Sequence, residues 1–600
     1  MSTMSTTSTH DKTTVDQEAH PSSIDLEKQP KNTGGDKFFE SNAGDGTTVF
    51  DQYLTGIPLY LCFASCFISL FLIGLDQTIV ITLLEDVGSK FNAYDKIGWI
   101  ASGYMLTMAV FAQTWGKFSI IFGRKYSLLS AIILFEAGSL MCALANDMNV
   151  LIGGRILAGI GGGGIQTLVF IVGTEMVSID KRSLAFAFFG VSFSISTIVG
   201  PLIGGGFTEH VTWRWCFYIN LPLGAIAFTC LFLFFNPPLP KYTWKQKFGA
   251  IDYIGTFLLT SGLVIFLLAL TFGGQEFAWN SGAVISCFVI GGSLLIIFCI
   301  WNFGFSDKQI IPLHIIKVWK VDFPVLTLFC VFFCFMSLIV FLSTYFQVVQ
   351  GSGPLSTGIQ FFPMIIALVI SSISTGILIK KTRYIKPFAM FGAVIGAIGC
   401  GLMTLLEVDS NRGQKIGYLI LPGASIGILL QTSIMSSQLE APKIAGSTIL
   451  TTALFNFARS LGGAIGADLA QAIFNSSVKN KLKQAIANHP SSFSGVSMSE
   501  ITGALNRPDL LRSLPSETTQ AILRAIMGAI RNVFYTATAV SCLTVVFVVC
   551  FSNRRVPAAE HVMKRAEDDT EKDKQEANEE ANEEANGQED QQEEDKPQQV

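Results

Sequence analysis

Charge is scarce in this 600-residue chain: Asp, Glu, Lys and Arg make up 14% of it, where soluble domains carry roughly 25%. So little charge cannot solvate several soluble domains, and a soluble enzyme is excluded. Histidine is scarcer still. His10, His20, His210, His314, His489 and His561 all lie in tails or between apolar runs, so any proton carrier inside those runs must be a carboxylate. No His-Glu-x-x-His, no Gly-x-Ser-x-Gly and no paired aspartates of protease type occur within them, which excludes an intramembrane enzyme. The twelve cysteines all fall inside apolar stretches, so no disulfide framework of the secreted kind is readable. Cys62 with Cys66, and Cys330 with Cys334, are spaced one helical turn apart with no His or carboxylate beside them. They read as packing residues, and no metal site is expected. The net charge of −4 comes from a strongly acidic stretch at the end of the sequence; no basic surface for nucleic acid is expected.

What is present is apolar. Half the residues are hydrophobic, 49 are Phe, and the mean hydropathy is +0.48. A membrane-spanning helix needs about 20 mostly apolar residues, and fourteen runs qualify: 58–84, 97–115, 127–145, 150–172, 185–206, 216–235, 249–271, 283–303, 323–345, 357–379, 388–406, 416–436, 447–472 and 528–551. The first follows some 57 mostly polar residues and has no cleavage pattern, so it is no signal peptide. Lys and Arg in the short connections divide sixteen to five. The excess side is the cytosol, which puts both termini there. Residues 1–56 and 556–600, the latter with its Glu-Ala-Asn-Glu repeat, are expected to be disordered cytosolic tails. Between them the sequence divides into helical bundles over 57–236 and 305–555, two inserted helices over 237–304, and an extracytosolic loop over 473–527. Asn475-Ser476-Ser477 in that loop is a weak glycosylation sequon.

Ionisable groups within a membrane are costly and therefore point to function. Asp76 interrupts the first run, Glu136 the third and Arg155 the fourth, while Arg459 and Asp468 fall in the thirteenth. With a helical rise of 1.5 Å, Asp76 and Arg155 both fall in the outer half of the membrane. The pair is expected to couple proton movement or to tie the two helices together. Burial disfavours a carboxylate charge, so Asp76, or Glu136 as the fallback, could take up a proton at physiological pH. Gln77 and Gln166 join Arg459 and Asp468 as candidates to face a cavity. Gly159, Gly161 and Gly164 spell a dinucleotide-type motif, but no strand precedes them; close helix packing by small residues explains them. Gly200, Pro201, Gly204 and Gly205 are expected to bend the fifth helix and let a neighbour slide.

These residues resemble the major facilitator superfamily, in its fourteen-helix drug:proton antiporter branch, over roughly 55–555. Leu75–Val80 resembles the first-helix aspartate motif, Leu151–Gly164 the fourth-helix arginine motif and Gly200–Gly205 the antiporter motif of helix 5. Trp213–Pro222, Tyr345–Gly351 and Phe455–Gly463 are similar to further signatures of the branch. The superfamily loop between helices 2 and 3 is matched at Gly116, Gly123, Arg124 and Lys125, but Ile120 and Ile121 stand where Asp and Arg are usual. A cytosolic latch built on that pair is therefore not expected, and gating at this loop is expected to depend on the remaining matched residues, Gly116, Gly123, Arg124 and Lys125. Gly376–Lys386 is a degenerate echo of the same loop.

The resemblance implies an all-α polytopic membrane protein with 6 + 2 + 6 helices, working as a monomer without cofactor and powered by a proton gradient. The implied cargo is a small molecule moved across the lipid bilayer against protons. Residues 212–222 and 271–281 most resemble fungal members grouped with azole-resistance and vacuolar basic amino acid transporters. Export of organic cations, azole-type drugs or basic amino acids is therefore expected. The alternatives are a siderophore or metal-chelate exporter, and a non-transporting nutrient sensor on the same fold. No acidic dileucine signal occurs in 1–56 or 552–600, which favours the plasma membrane over the vacuole.

Overall fold

The structure, a computed structural model, describes residues 53–91, 93, 96–240, 242–274, 277–488 and 516–557. Most of both tails and residues 489–515 of the expected loop lie outside the described residues. Among the described residues fourteen long helices follow one another: α1 Gly56–Phe91, α2 Gly98–Phe122, α3 Arg124–Ala143, α4 Met148–Glu175, α5 Ile179–His210, α6 Trp215–Phe234, α7 Tyr253–Phe272, α8 Gly282–Phe305, α9 Trp319–Val349, α10 Phe362–Thr382, α11 Lys386–Met403, α12 Arg412–Leu439, α13 Ser447–Asn488 and α14 Ser516–Val549. Among the described residues there is no strand beyond one isolated bridge between Gly273 and Phe277.

Thirteen of these helices are long and apolar enough to cross a membrane on their own account. The exception is α13, at 42 residues the longest. Its polar side chains Thr451, Thr452, Asn456 and Arg459 are buried inside the protein, so the helix needs no lipid-like surface along that face.

The sequence reading ends this span at 472 and begins the next at 528. Both helices run on, to Asn488 and from Ser516. Hydropathy marks where apolar side chains stop, whereas helical hydrogen bonding continues through the polar residues beyond. Asn475 consequently lies within a helix, half-buried, its side-chain oxygen accepting a hydrogen bond from Gln471 at 3.0 Å.

Packing repeats with an offset of eight helices. In the first six, α1 packs on α5 and α6, α4 on α2 and α3, and α3 on α6; in the last six, α9 packs on α13 and α14, α12 on α10 and α11, and α11 on α14. The repeats meet through the equivalent pairs α2–α13 and α5–α10. Glycine permits the tightest contacts. On α4, a Cβ at Gly159 would strike the Tyr104 carbonyl, one at Gly161 the Phe135 backbone and one at Gly163 the Met108 carbonyl. This close packing is what the sequence pattern implies.

The inserted pair α7–α8 packs on itself and leans on α2 and α13. Asp252 caps α7 through Gly255 N–H at 2.8 Å and accepts hydrogen bonds from Trp301 at 3.1 Å and Ser306 at 2.8 Å. Gln113 and Lys117 of α2 then donate to the carbonyls of Ile310 and Gln309 at 3.1 and 3.2 Å. The linker into the second repeat is thus tied to the first.

Both flanks leave the bundle at one end: Leu54 N–H donates to the carbonyl of Met176, just beyond α4, and Val556 N–H to that of Arg383, just beyond α10. An even helix count requires this arrangement.

Candidate substrate cavity and buried charge cluster

Asp76 on α1 and Arg155 on α4 meet as an ion pair, Oδ2 to Nη1 at 2.5 Å, with side chains 0% and 1% exposed. Arg155 also donates through Nε to the Ile100 carbonyl at 2.9 Å, and its guanidinium lies 4.2 Å from the Tyr104 ring centre. The second carboxylate oxygen of Asp76 accepts from Asn220 Nδ2 at 3.3 Å, and the same amide donates to Ser139 Oγ at 3.1 Å. The cluster therefore joins α1, α3, α4 and α6.

The signature from Trp213 to Pro222 builds one wall of it. Within that stretch Phe217 lies 5.9 Å from the Arg155 guanidinium. Arg214 binds the carbonyls of Ala143 and Ala145 at 3.1 and 2.8 Å, which fixes the α3–α4 turn. Asn220 and Tyr104 were not legible as site residues; the only signal for Asn220 was its place in a specific motif.

Glu136, one turn before Ser139 on α3, lies beside this cluster but makes no hydrogen bond to it. Its carboxyl oxygens are buried without a hydrogen-bond partner, facing α6 where Gly224 leaves room that a Cβ would fill.

A separate small cavity lies between the repeats. Its polar lining is Gln77 of α1, Gln166 of α4, and Arg459 and Ser460 of α13. Apolar walls come from Met105, Met108, Phe193, Phe332 and Met336. Gln166 donates to Ser460 Oγ at 3.0 Å, across the two repeats, and Gln77 to Met108 Sδ at 3.3 Å. Apolar walls with a few convergent polar groups are the lining of a small-molecule site.

Of the residues expected to face a cavity, Gln77, Gln166 and Arg459 do so. Asp468 does not: it accepts a hydrogen bond from Thr271 of α7 at 3.1 Å, linking α13 to the inserted pair. Asp76 is next to Gln77 in sequence, yet its own carboxylate does not line the cavity.

At the end of the bundle carrying the flanks, Arg124 of the same loop is paired with an acid from α4. Arg124, 1% exposed, grips Glu175 with Nε and Nη2, each 2.9 Å from a carboxylate oxygen. Arg182, equally buried, donates to the Thr174 carbonyl at 2.8 Å. Sequence reading missed Glu175 because it lies 51 residues beyond Arg124. Lys125 donates to the Phe232 carbonyl at 2.6 Å and to Asn236 at 2.5 Å. Gly123, at φ 93°, turns α2 into α3 in a conformation that favours glycine.

The repeats also close on each other at this end. Gly116 lies against Ala453, Ser183 donates to the Gly376 carbonyl at 3.1 Å, and Gln438 donates to Thr174 Oγ1 at 3.0 Å. In α5, Gly200 and Gly204 lie against Thr78, Ile79 and Thr82 of α1, whereas Gly205 faces open space. The helix is continuous through Pro201.

Two six-helix repeats around a mid-bundle cavity, with buried charges beside it, are the architecture of a polytopic membrane transporter. The sequence profile of the Major Facilitator Superfamily matches residues 66–467, and the chain belongs to that superfamily. It is 38% identical over 472 residues to vacuolar basic amino acid transporter 5 of Saccharomyces cerevisiae, covering 72% of this chain and 81% of that protein. It is 31% identical over 574 residues to azole resistance protein 1 of the same organism, covering 86% and 91%. An MFS-type efflux pump of Trichophyton rubrum is 32% identical over 500 residues, covering 82% and 91%. Among solved structures, the human organic anion transporter MFSD10 superposes with a TM-score of 0.54 at 15% identity, covering 82% of this chain and all of that one. This last likeness concerns the fold alone.

Proposed function

We propose that this chain is a proton-coupled antiporter that exports organic cations, azole-type drugs or basic amino acids from the cytosol by alternating access. The observation that carries the reading is the fully buried Asp76–Arg155 pair placed one residue from the cavity-lining Gln77. A buried ion pair is weak evidence for stability alone, and intramembrane charges mark ion pathways. The names of the relatives, basic amino acid transporter, azole resistance protein and efflux pump, support the cargo range.

In the proposed cycle a proton from the outer side enters at Asp76. Neutralising the carboxylate removes its attraction for Arg155, so α1 and α4 can shift against each other and carry Gln77 and Gln166 with them. Because Asp76 does not line the cavity, cargo and proton compete through helix position and not by direct contact. The packing at the flank end, with Arg124–Glu175, is then the closed cytosolic gate. Both tails face the cytosol, the protein works as a monomer without cofactor, and the plasma membrane is favoured over the vacuole.

The test is a pair of neutral substitutions at equal surface expression. Asp76→Asn is expected to abolish gradient-driven export while leaving part of the downhill exchange. Glu136→Gln is expected to retain gradient-driven export. The reverse pattern would move the proton site to α3.

A further inference from the structure

Among the described residues, three of the four buried arginines have their charge answered by a protein oxygen. Arg124 has Glu175, Arg155 has Asp76 and Arg182 has the Thr174 carbonyl. Arg459 is the fourth. It is 3% exposed, and among the described residues it makes no ion pair and no hydrogen bond. Its guanidinium is surrounded by aromatic faces instead: Phe332 of α9 at 4.3 Å, Phe193 of α5 at 5.0 Å and Phe170 of α4 at 5.7 Å. Aromatic faces offset part of a buried cation's cost, but they do not fill the fork of a guanidinium, which matches a carboxylate through two parallel N–H donors.

Arg459 itself lines the cavity between the repeats, and that lining contains no Asp or Glu. A cargo with only positive charge would meet an uncompensated like charge there. A cargo bringing an anion would complete a buried pair, and a flat or apolar body would lie against Phe193, Phe332 and the methionines.

We infer that Arg459 is the cargo-binding cation of this transporter and selects molecules that carry a carboxylate on an aromatic or apolar body. The inference rests on the transport reading above and narrows its cargo range to amino acids, which bear a carboxylate on an apolar stem; organic cations and azole-type drugs without a carboxylate fall outside it. Because the aromatic cage of Arg459 is drawn from both repeats, an anion drawing the guanidinium out of it would loosen one contact that holds them together.

The test is equilibrium dialysis of the full chain in lipid nanodiscs, with empty nanodiscs subtracted, against three probes sharing one ring system. These are 2-naphthoate, 2-naphthylmethanol and 2-naphthylmethylammonium. Naphthoate is expected to bind at least tenfold more tightly than the ammonium probe. Arg459→Gln is expected to remove that preference and Arg459→Lys to keep part of it. Arg459→Gln is also expected to melt no lower than the wild type, since it removes an unanswered buried charge.

Equal or tighter binding of the ammonium probe, no measurable naphthoate binding, or an unchanged preference in a folded Arg459→Gln would each overturn the inference. The ranking on the unaltered chain decides the matter even if the variant does not fold. No gradient enters this experiment, so a failed ranking leaves proton-coupled export standing. That reading fails separately if an imposed pH gradient does not drive transport.

Discussion

At the scale of single residues, the Asp76–Arg155 pair invites a double-substitution experiment. Arg155→Gln strands a carboxylate whose remaining partner is the Asn220 amide, and breaking a buried pair costs about 3–5 kcal/mol. A marked fall in melting temperature is expected. The double variant Asp76→Asn/Arg155→Gln should recover most of that loss yet still fail to export against a gradient. A double variant that exports normally would reduce the pair to a structural tie.

His314 offers a second residue-scale prediction, outside the membrane spans. It is half-buried against Ser447 at 3.1 Å. Loss of water, with the nearby Lys117 cation adding to it, holds its pKa below the usual histidine range. Its folded pKa is thus lower than its unfolded one, so the stability it contributes is present above about pH 6.5 and is lost as pH falls through the folded value. Wild-type melting temperature is expected to fall relative to His314→Gln between pH 7.5 and 5.5; parallel curves would contradict this.

Sequence alone made Asp76, Arg155 and Arg459 visible because charges stand out in apolar runs. Asn220 and Tyr104 are uncharged and Glu175 ends its helix, so their roles depended on contacts between distant segments.

At the scale of elements, the α1–α5 contact separates two glycines that the sequence presents as equivalent. Gly204 abuts Ile79 and Thr82, whereas Gly205 has nothing within 4 Å of a Cβ position. Gly204→Leu is therefore expected to block exchange in a folded protein, because a branched side chain forces the helices apart. Gly205→Leu should transport nearly as the wild type does. Equal transport by both variants would show that α5 does not slide on α1. Helix number was readable from hydropathy, but the length of α13 was not. Its buried Thr451, Thr452, Asn456 and Arg459 lower the apolar signal exactly where the protein interior substitutes for lipid, and its polar continuation to Asn488 carries no hydropathic signal.

At the scale of the whole molecule, the packing of α1–α6 is repeated in α9–α14, and in the proposed cycle one half rocks against the other around the cavity between them. The weak echo between Gly116–Lys125 and Gly376–Lys386 was the only trace of that repeat in the sequence, since lipid-facing and packing positions accept many apolar side chains. The charge asymmetry of the short loops predicts that an epitope at the C-terminus of intact cells resists protease added outside; cleavage there would reverse the orientation and with it the direction of export. Coupling is the central claim. Its most direct measurement is radiolabelled arginine, lysine or azole flux in vesicles of known orientation, recorded together with proton movement under an imposed pH gradient. The account predicts uphill cargo movement with protons moving the opposite way, both lost when a protonophore collapses the gradient. Cargo accumulation that persists after collapse, or that proceeds without proton counterflow, would contradict it.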